Sequence, residues 1–188
     1  MSGPRARMFV ALDLPEDTRT RLAEWRDGLL AGRDELRPVA APALHVTVAF
    51  LGWQDESAAE RIASLAFEAV AGLDAPVLAP TGVRAVPPRR PRLFALDLDD
   101  EGARGAAVHA AVNGALGAAS VFEPEKRAFW PHITLARVKR GARAKPPPSE
   151  PAPPADPFIA GELTLYRSIL RPQGALYESL ARFELGTA

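Results

Sequence analysis

The chain has 188 residues, a formal net charge of zero and no cysteine. A length of this order suits one domain, or two small lobes packed closely together. The balanced charge argues against a sequence-independent duplex binder, because such a protein gains its affinity mainly by neutralising phosphates. The lack of cysteine excludes disulfides, thiol nucleophiles and thiolate metal sites.

The N-terminal apolar run predicts a buried strand rather than a targeting segment. Met8–Leu12 is interrupted by Asp13, which leaves it too short for the core of a signal peptide. No other stretch approaches the ~20 apolar residues that a membrane-crossing helix needs. We therefore expect a cytoplasmic protein that does not engage a membrane.

The rest of the first half predicts helices that alternate with strands. Acidic residues around Pro15 begin a helix whose apolar positions continue to Leu30 at helical spacing. Leu44–Leu51 is rich in β-branched residues and is closed by Gly52, which predicts a strand. An amphipathic helix follows and ends at Gly72.

The second half repeats this mixture of elements. In chain order the sequence predicts strands over 76–86 and 92–98, an alanine-rich helix over 102–116, a strand over 133–138, a proline-rich surface loop over about 145–157, and strands over 158–170 and 175–185 around a turn at 172–174. Helices between groups of strands favour the α+β class. Each half contains a helix of similar length, so we expect one domain over residues 1–188 whose two halves echo one another.

One short strand motif occurs in both halves. It reads His45-Val46-Thr47-Val48-Ala49 in the first half and His132-Ile133-Thr134-Leu135-Ala136 in the second. Because side chains alternate along a strand, histidine and threonine project from one face and the residue between them projects from the other. Each half should therefore present one imidazole and one hydroxyl side by side.

Two imidazoles that face one substrate can divide acid and base catalysis between them. The ordinary pKa of histidine, about 6.5, allows one ring to be neutral while the other is protonated. The hydroxyls of Thr47 and Thr134 can orient the rings or donate to phosphoryl oxygens. This chemistry requires neither a metal nor a cofactor, and two histidines without nearby carboxylates give too few ligands for a metallohydrolase. These arguments do not decide which histidine is the acid.

The paired motif resembles that of the two-histidine phosphoesterase superfamily. Within it, the chain most resembles the bacterial and archaeal RNA 2′,3′-cyclic phosphodiesterases, which were first described as RNA ligases of tRNA halves. The resemblance covers nearly the whole chain and includes Met8–Pro15, Leu44–Gly52, Pro91–Phe94, Leu165–Ser168 and Gly174–Glu178. It implies a bilobal fold, in which two antiparallel sheets related by a pseudo-two-fold axis face a central cleft and helices lie outside.

The resemblance also implies roles for individual residues. His45 would donate a proton to the leaving ribose oxygen, and His132 would accept one from the attacking water. Thr47 and Thr134 would contact the phosphate, and Arg137 would balance its charge. Simple strand alternation, however, places Arg137 on the opposite face from His132, unless the strand bends or bulges.

Two aromatic residues are further candidates for binding the substrate. The family commonly has a basic residue just before the Pro-His of the second motif, where this chain has Trp130, and an indole there could stack on a base. Tyr166 could line the cleft. His109 lies within a predicted helix without the threonine partner and is expected to be structural.

The predicted function is metal-independent hydrolysis of RNA 2′,3′-cyclic phosphate ends to 2′-phosphomonoesters. The enzymatic alternatives are 2′–5′ ligation of tRNA halves and hydrolysis of a small cyclic nucleotide. The non-enzymatic alternative is a nucleotide-binding module, which the two intact motifs disfavour. RNA or oligonucleotide ends are the expected partners, no protein partner is implied, and we expect a monomer.

Overall fold

The computed structural model of the protein describes residues 3–146, 151–171 and 174–187. The three α-helices of these ranges are α1 (Glu16–Leu29), α2 (Ala59–Val70) and α3 (Arg104–Ala118). The nine strands are β1 (Arg5–Asp13), β2 (Leu36–Pro38), β3 (His45–Asp55), β4 (Val77–Val86), β5 (Leu93–Asp100), β6 (His132–Val138), β7 (Phe158–Ile159), β8 (Glu162–Arg171) and β9 (Gly174–Glu184). The predicted α+β class is therefore confirmed.

The strands form two antiparallel halves that meet at a narrow junction. Their order is β7-β4-β5-β6-β3-β1-β8-β9, and the short β2 pairs with β6. We call β1, β3, β8 and β9 the first lobe, and β4, β5, β6 and β7 the second lobe. Only one residue pair, Val46 with Ile133, is in register between β3 and β6. The two lobes thus meet at the two histidine-bearing strands, in agreement with the bilobal prediction.

One apolar core underlies both lobes. Met8 and Val46 of the first lobe and Leu96 and Ile133 of the second are fully buried in the same cluster. Helices α2 and α3 contact each other, and between them they contact strands of both lobes. Fully burying side chains of this size stabilises the fold by roughly 1.5–3 kcal/mol each. A shared core of this kind fixes the position of one lobe relative to the other.

Two strand predictions differ from the structure. Residues 158–170 were predicted as one strand, but the chain leaves strand geometry at Ala160 and Gly161, so that β7 pairs with β4 and β8 pairs with β1. The segment therefore contributes to both lobes. Gly52 was predicted to end β3, which instead continues to Asp55 because the glycine adopts a positive φ of 69° within the strand.

The sequence did not predict β2, since a three-residue segment that ends in proline has no strand signature. The proline-rich loop packs on α1 where it is described: the indole N–H of Trp25 donates to the carbonyl of Pro151 at 3.0 Å. Residues 147–150 of that loop, and 172–173 of the predicted turn, lie outside the described residues. The single-domain assignment stays a prediction. No helix in the described part of the chain is long and apolar enough to span a membrane.

Candidate active site

The two His-x-Thr motifs occupy equivalent positions at the starts of β3 and β6. In each, the residue between histidine and threonine is fully buried, namely Val46 and Ile133. His45, Thr47, His132 and Thr134 are all partly exposed. The histidine and threonine of each motif therefore share the face opposite to the core, as strand alternation predicted.

A β-bulge follows the threonine in both strands. Ala11 and Val10 of β1 pair with Thr47 and Ala49, so that Val48 is the extra residue of β3.

In the second lobe, Ala95 and Phe94 of β5 pair with Thr134 and Ala136, which makes Leu135 the extra residue of β6. A bulge reverses the alternation beyond it. Arg137 therefore lies on the same face as Thr134, and its side chain lines the same cavity. The predicted role of Arg137 required a departure from simple strand alternation, and this bulge provides it.

The antiparallel junction brings the two motifs together. With Val46 opposite Ile133, His45 lies towards Thr134, and His132 lies towards Thr47. His45, Thr47 and Thr134 line one cavity. His132 lies next to it, close enough that a charge on its ring lowers the pKa of His45. The structure thus brings the two motifs close together, with His45 on the cavity wall and His132 beside it.

Both imidazoles are held through the same ring nitrogen. His45 Nδ1 lies 2.8 Å from the carbonyl oxygen of Ala43, and His132 Nδ1 lies 2.8 Å from that of Trp130. A carbonyl can only accept, so both Nδ1 atoms carry the proton and donate it. In the neutral ring Nε2 is then a lone-pair acceptor. For His45 this atom is 3.0 Å from the Thr47 hydroxyl, which donates to it.

Aromatic rings surround His45. The ring centroids of Phe9 and Tyr177 lie 4.9 Å and 5.3 Å from that of His45. Burial in this apolar setting lowers the pKa of His45 to about 4, although the Ala43 carbonyl and the charge of Asp13 act in the opposite direction. In the free protein at neutral pH, His45 is therefore neutral.

His132 has a more polar environment. Its ring stacks on that of Trp130, with centroids 3.8 Å apart and planes inclined by 13°. Burial lowers its pKa as well, and Arg137 and Arg84 add to the effect, whereas the Trp130 carbonyl and Asp97 oppose it. The two histidines thus share a backbone geometry but differ in what surrounds them.

The other predicted residues lie next to the histidines rather than on the cavity wall. One face of the Trp130 indole stacks on the His132 ring, and stacking of Trp130 on a base stays a prediction. The hydroxyl of Tyr166 donates to Asp13 Oδ1 at 2.7 Å, and its ring stacks on Phe9. Burial and this hydrogen bond raise the pKa of Tyr166. His109, on α3, stacks on the ring of Phe129 and does not line the cavity.

Asp13 and Asp97 are site residues that sequence reasoning missed. Asp13 is the cross-strand partner of His45, and Asp97 is that of His132. Both lie in the same short string, Ala-Leu-Asp-Leu, at residues 11–14 and 95–98. This second internal repeat could have indicated both aspartates from the sequence alone.

The cavity in front of His45 has a volume of about 820 Å³, within the range of sites for small ligands. Its basic wall contains Arg7, Arg26, Arg37, Arg137 and Arg171. Among the described residues, no aspartate or glutamate lines it. An anionic ligand that extends beyond a single phosphate fits this lining.

Within residues 3–146, 151–171 and 174–187, no group of three or more histidine, aspartate or glutamate side chains is arranged to hold an ion.

The chain is similar to known proteins over most of its length. The family model described as "2'-5' RNA ligase superfamily" matches residues 14–168. A Thermus thermophilus protein named "RNA 2',3'-cyclic phosphodiesterase" is 32% identical over 95% of this chain and 90% of its own. An Escherichia coli protein of the same name is 33% identical, over 98% and 99%. The solved structure of E. coli LigT complexed with NADP+ has a TM-score of 0.76 at 27% identity, covering 99% of this chain and 100% of that one.

Proposed function

This chain belongs to the 2'-5' RNA ligase superfamily, and we propose that it hydrolyses 2′,3′-cyclic phosphate ends of RNA to 2′-phosphomonoesters by acid–base catalysis. Two relatives over nearly the full chain are named for an RNA 2′,3′-cyclic phosphodiesterase, which supports the substrate class. The observation that carries the mechanism is the matched pair of imidazoles, each with Nδ1 held by a backbone carbonyl.

In the proposed reaction His132 is the base and His45 is the acid. Nε2 of His132 accepts a proton from water as the water oxygen attacks phosphorus. The bond from phosphorus to the ribose 3′ oxygen breaks, and protonated His45 donates its Nε2 proton to that oxygen. The bond to the 2′ oxygen remains. Proton donation and acceptance on opposite sides of phosphorus match an in-line displacement.

Thr47, Thr134 and Arg137 are proposed to bind the phosphate. All three side chains line the cavity. A hydroxyl that donates to a non-bridging oxygen and a guanidinium that faces it both stabilise the charge that develops in the transition state. In this role Thr47 would exchange its hydrogen bond with His45 for one with the substrate.

The low pKa of His45 is compatible with its role as acid only when the substrate is bound. At a pKa of about 4 the free ring is almost entirely neutral near pH 7. A phosphate anion next to the ring favours the protonated form and raises the pKa. We therefore expect His45 to take up its proton together with the substrate.

The arginine-lined cavity favours an oligonucleotide end over a small cyclic nucleotide. Arg7, Arg37 and Arg171 lie on its wall with Arg137, and these cations give the cavity the charge to bind the further phosphates of an oligonucleotide. Ligation that forms 2′–5′ linkages would be the same displacement at the cyclic phosphate, with a ribose hydroxyl in place of water as the attacking group and the 3′ oxygen again leaving. The monomeric state and the cytoplasmic location remain predictions, and size-exclusion chromatography tests the first.

The test is incubation of the protein with an oligonucleotide that ends in a 2′,3′-cyclic phosphate, in the presence of EDTA, with the product isomer identified by ³¹P NMR. We expect a 2′-phosphomonoester at an unchanged rate, because both proton-transfer groups are side chains. Loss of turnover in EDTA that one divalent ion restores would overturn the metal-independent mechanism. A 3′-phosphomonoester product would overturn the assignment of the leaving oxygen.

A further inference from the structure

Trp130 holds the imidazole of His132 in two ways at once. Its ring stacks on the histidine ring at a centroid distance of 3.8 Å, and its carbonyl accepts the Nδ1 proton at 2.8 Å. Its own position is fixed at a third point, since the indole Nε1–H donates to Asp97 Oδ1 at 2.8 Å. The ring and the carbonyl together restrict rotation of His132 about both side-chain torsions.

Asp97 is in turn held from two sides. Besides the indole, it accepts from Arg84 Nε at 2.8 Å through its other oxygen. Its carboxylate is about one-fifth exposed, and the residue is the cross-strand partner of His132 on β5. A carboxylate, an indole and an imidazole thus form a continuous chain that ends at the proposed base.

The first lobe contains the same order of groups. Asp13, the cross-strand partner of His45, accepts the Tyr166 hydroxyl at 2.7 Å. The Tyr166 ring stacks on Phe9 at 5.2 Å, and Phe9 packs against His45 at 4.9 Å. Both lobes therefore connect an aspartate to a histidine through aromatic rings, although the first lobe uses two rings and the second uses one.

We propose that Asp97 and Trp130 are positioning residues, which together fix the His132 ring with Nε2 directed to the cleft. The proposal rests on the function proposed above and assigns to Trp130 a part in the chemical step rather than in base stacking. The indole face also favours an imidazolium, because a cation is attracted to the ring. The charged and titratable groups that face His132 are Asp97 from β5, Arg84 from β4, Arg137 on β6 and His45 on β3.

Two conservative variants test this arrangement. Trp130→Phe keeps an aromatic ring and the carbonyl but removes the N–H that donates to Asp97. Asp97→Asn keeps an acceptor for the indole but removes the negative charge. Trp53→Phe is the matched control, since Trp53 is 56% exposed and contributes nothing to the cavity wall. For each variant we would measure the pKa of His132 by NMR, with ring signals assigned from His132→Gln, and then kcat and KM separately.

We expect Asp97→Asn to lower the pKa of His132, because the carboxylate that stabilises the imidazolium is lost. Trp130→Phe should lower kcat roughly 10- to 100-fold, the size of effect that a misplaced catalytic group produces, with KM changed less than about twofold. Trp53→Phe should match the wild type in both measurements.

The proposal is overturned if both variants keep the wild-type pKa of His132 and the wild-type kcat. It is also overturned if Trp130→Phe raises KM alone, which would indicate stacking on a base. The NMR titration needs no substrate, so it tests the arrangement even if the protein does not hydrolyse cyclic phosphates. If Trp130→Phe does not fold, the pKa of His132 in the Asp97→Asn variant tests the proposal by itself, and an unchanged pKa overturns it.

Discussion

In the first lobe His45 packs among Phe9, Tyr166 and Tyr177, whereas in the second lobe His132 stacks on Trp130 and faces Asp97 and Arg137. The two strands nevertheless follow the same course, with a bulge after the threonine and a carbonyl two residues before each histidine that accepts from Nδ1. These shared backbone features are therefore combined with different polarity. Geometry determines where each Nε2 points, and polarity determines how readily it is protonated.

The largest effect is expected when each imidazole is removed in turn. His45→Ala and His132→Ala should each lower kcat roughly 10²- to 10⁴-fold, the usual contribution of a positioned proton transfer. Because both act in one transition state, the double variant should be little worse than the more impaired single variant. His109→Ala serves as the control and should match the wild type. A folded His45→Ala or His132→Ala variant with near wild-type turnover would refute catalysis by the pair.

A second test addresses the residue that the bulge turns towards the cleft. Arg137→Gln should lower kcat/KM roughly 10- to 150-fold, which corresponds to the loss of a hydrogen bond to a charged group. Arg127→Gln is the matched control, because Arg127 is 87% exposed, forms an ion pair with Glu125 and does not line the cavity. Equal kinetics for the two variants would show that the bulge does not place Arg137 on the phosphate.

The different surroundings of the histidines should be visible in the pH dependence. The kcat/KM profile reports the free protein, in which it rises as the base loses its proton and falls as the acid loses its proton. Burial lowers both pKa values, so both limbs move to lower pH and the bell should be centred below pH 6.5. In the complex the phosphate anion raises both pKa values, so the kcat profile should lie at higher pH. A kcat/KM profile centred at or above 6.5 would contradict the desolvation of the pair. The two apparent values belong to the coupled pair rather than to single residues.

The smallest effect on catalysis is expected from the aromatic support of the first lobe. Tyr166→Phe keeps the ring against Phe9 but removes the hydroxyl that donates to the buried Asp13. We expect kcat to change less than about threefold and the melting temperature to fall roughly 3–12 °C, from a lost charged hydrogen bond in a chain of this size. Thr164→Val, which removes a second hydroxyl donor to Asp13, should have a similar effect. A rise in KM without loss of stability would instead support contact of Tyr166 with substrate, as the sequence suggested.

The sequence by itself determined the two histidine-bearing strands, the shared face of each His-Thr pair, the α+β class and the family. These follow from local rules, since alternation along a strand depends only on neighbouring residues. It could not place Arg137, because the bulge at Leu135 arises from pairing between β5 and β6. Nor could it show that Trp130 would stack on His132 or that Asp97 would hold the indole. Register and burial are set by residues far apart in the chain, so only the tertiary structure decided how the two histidines differ.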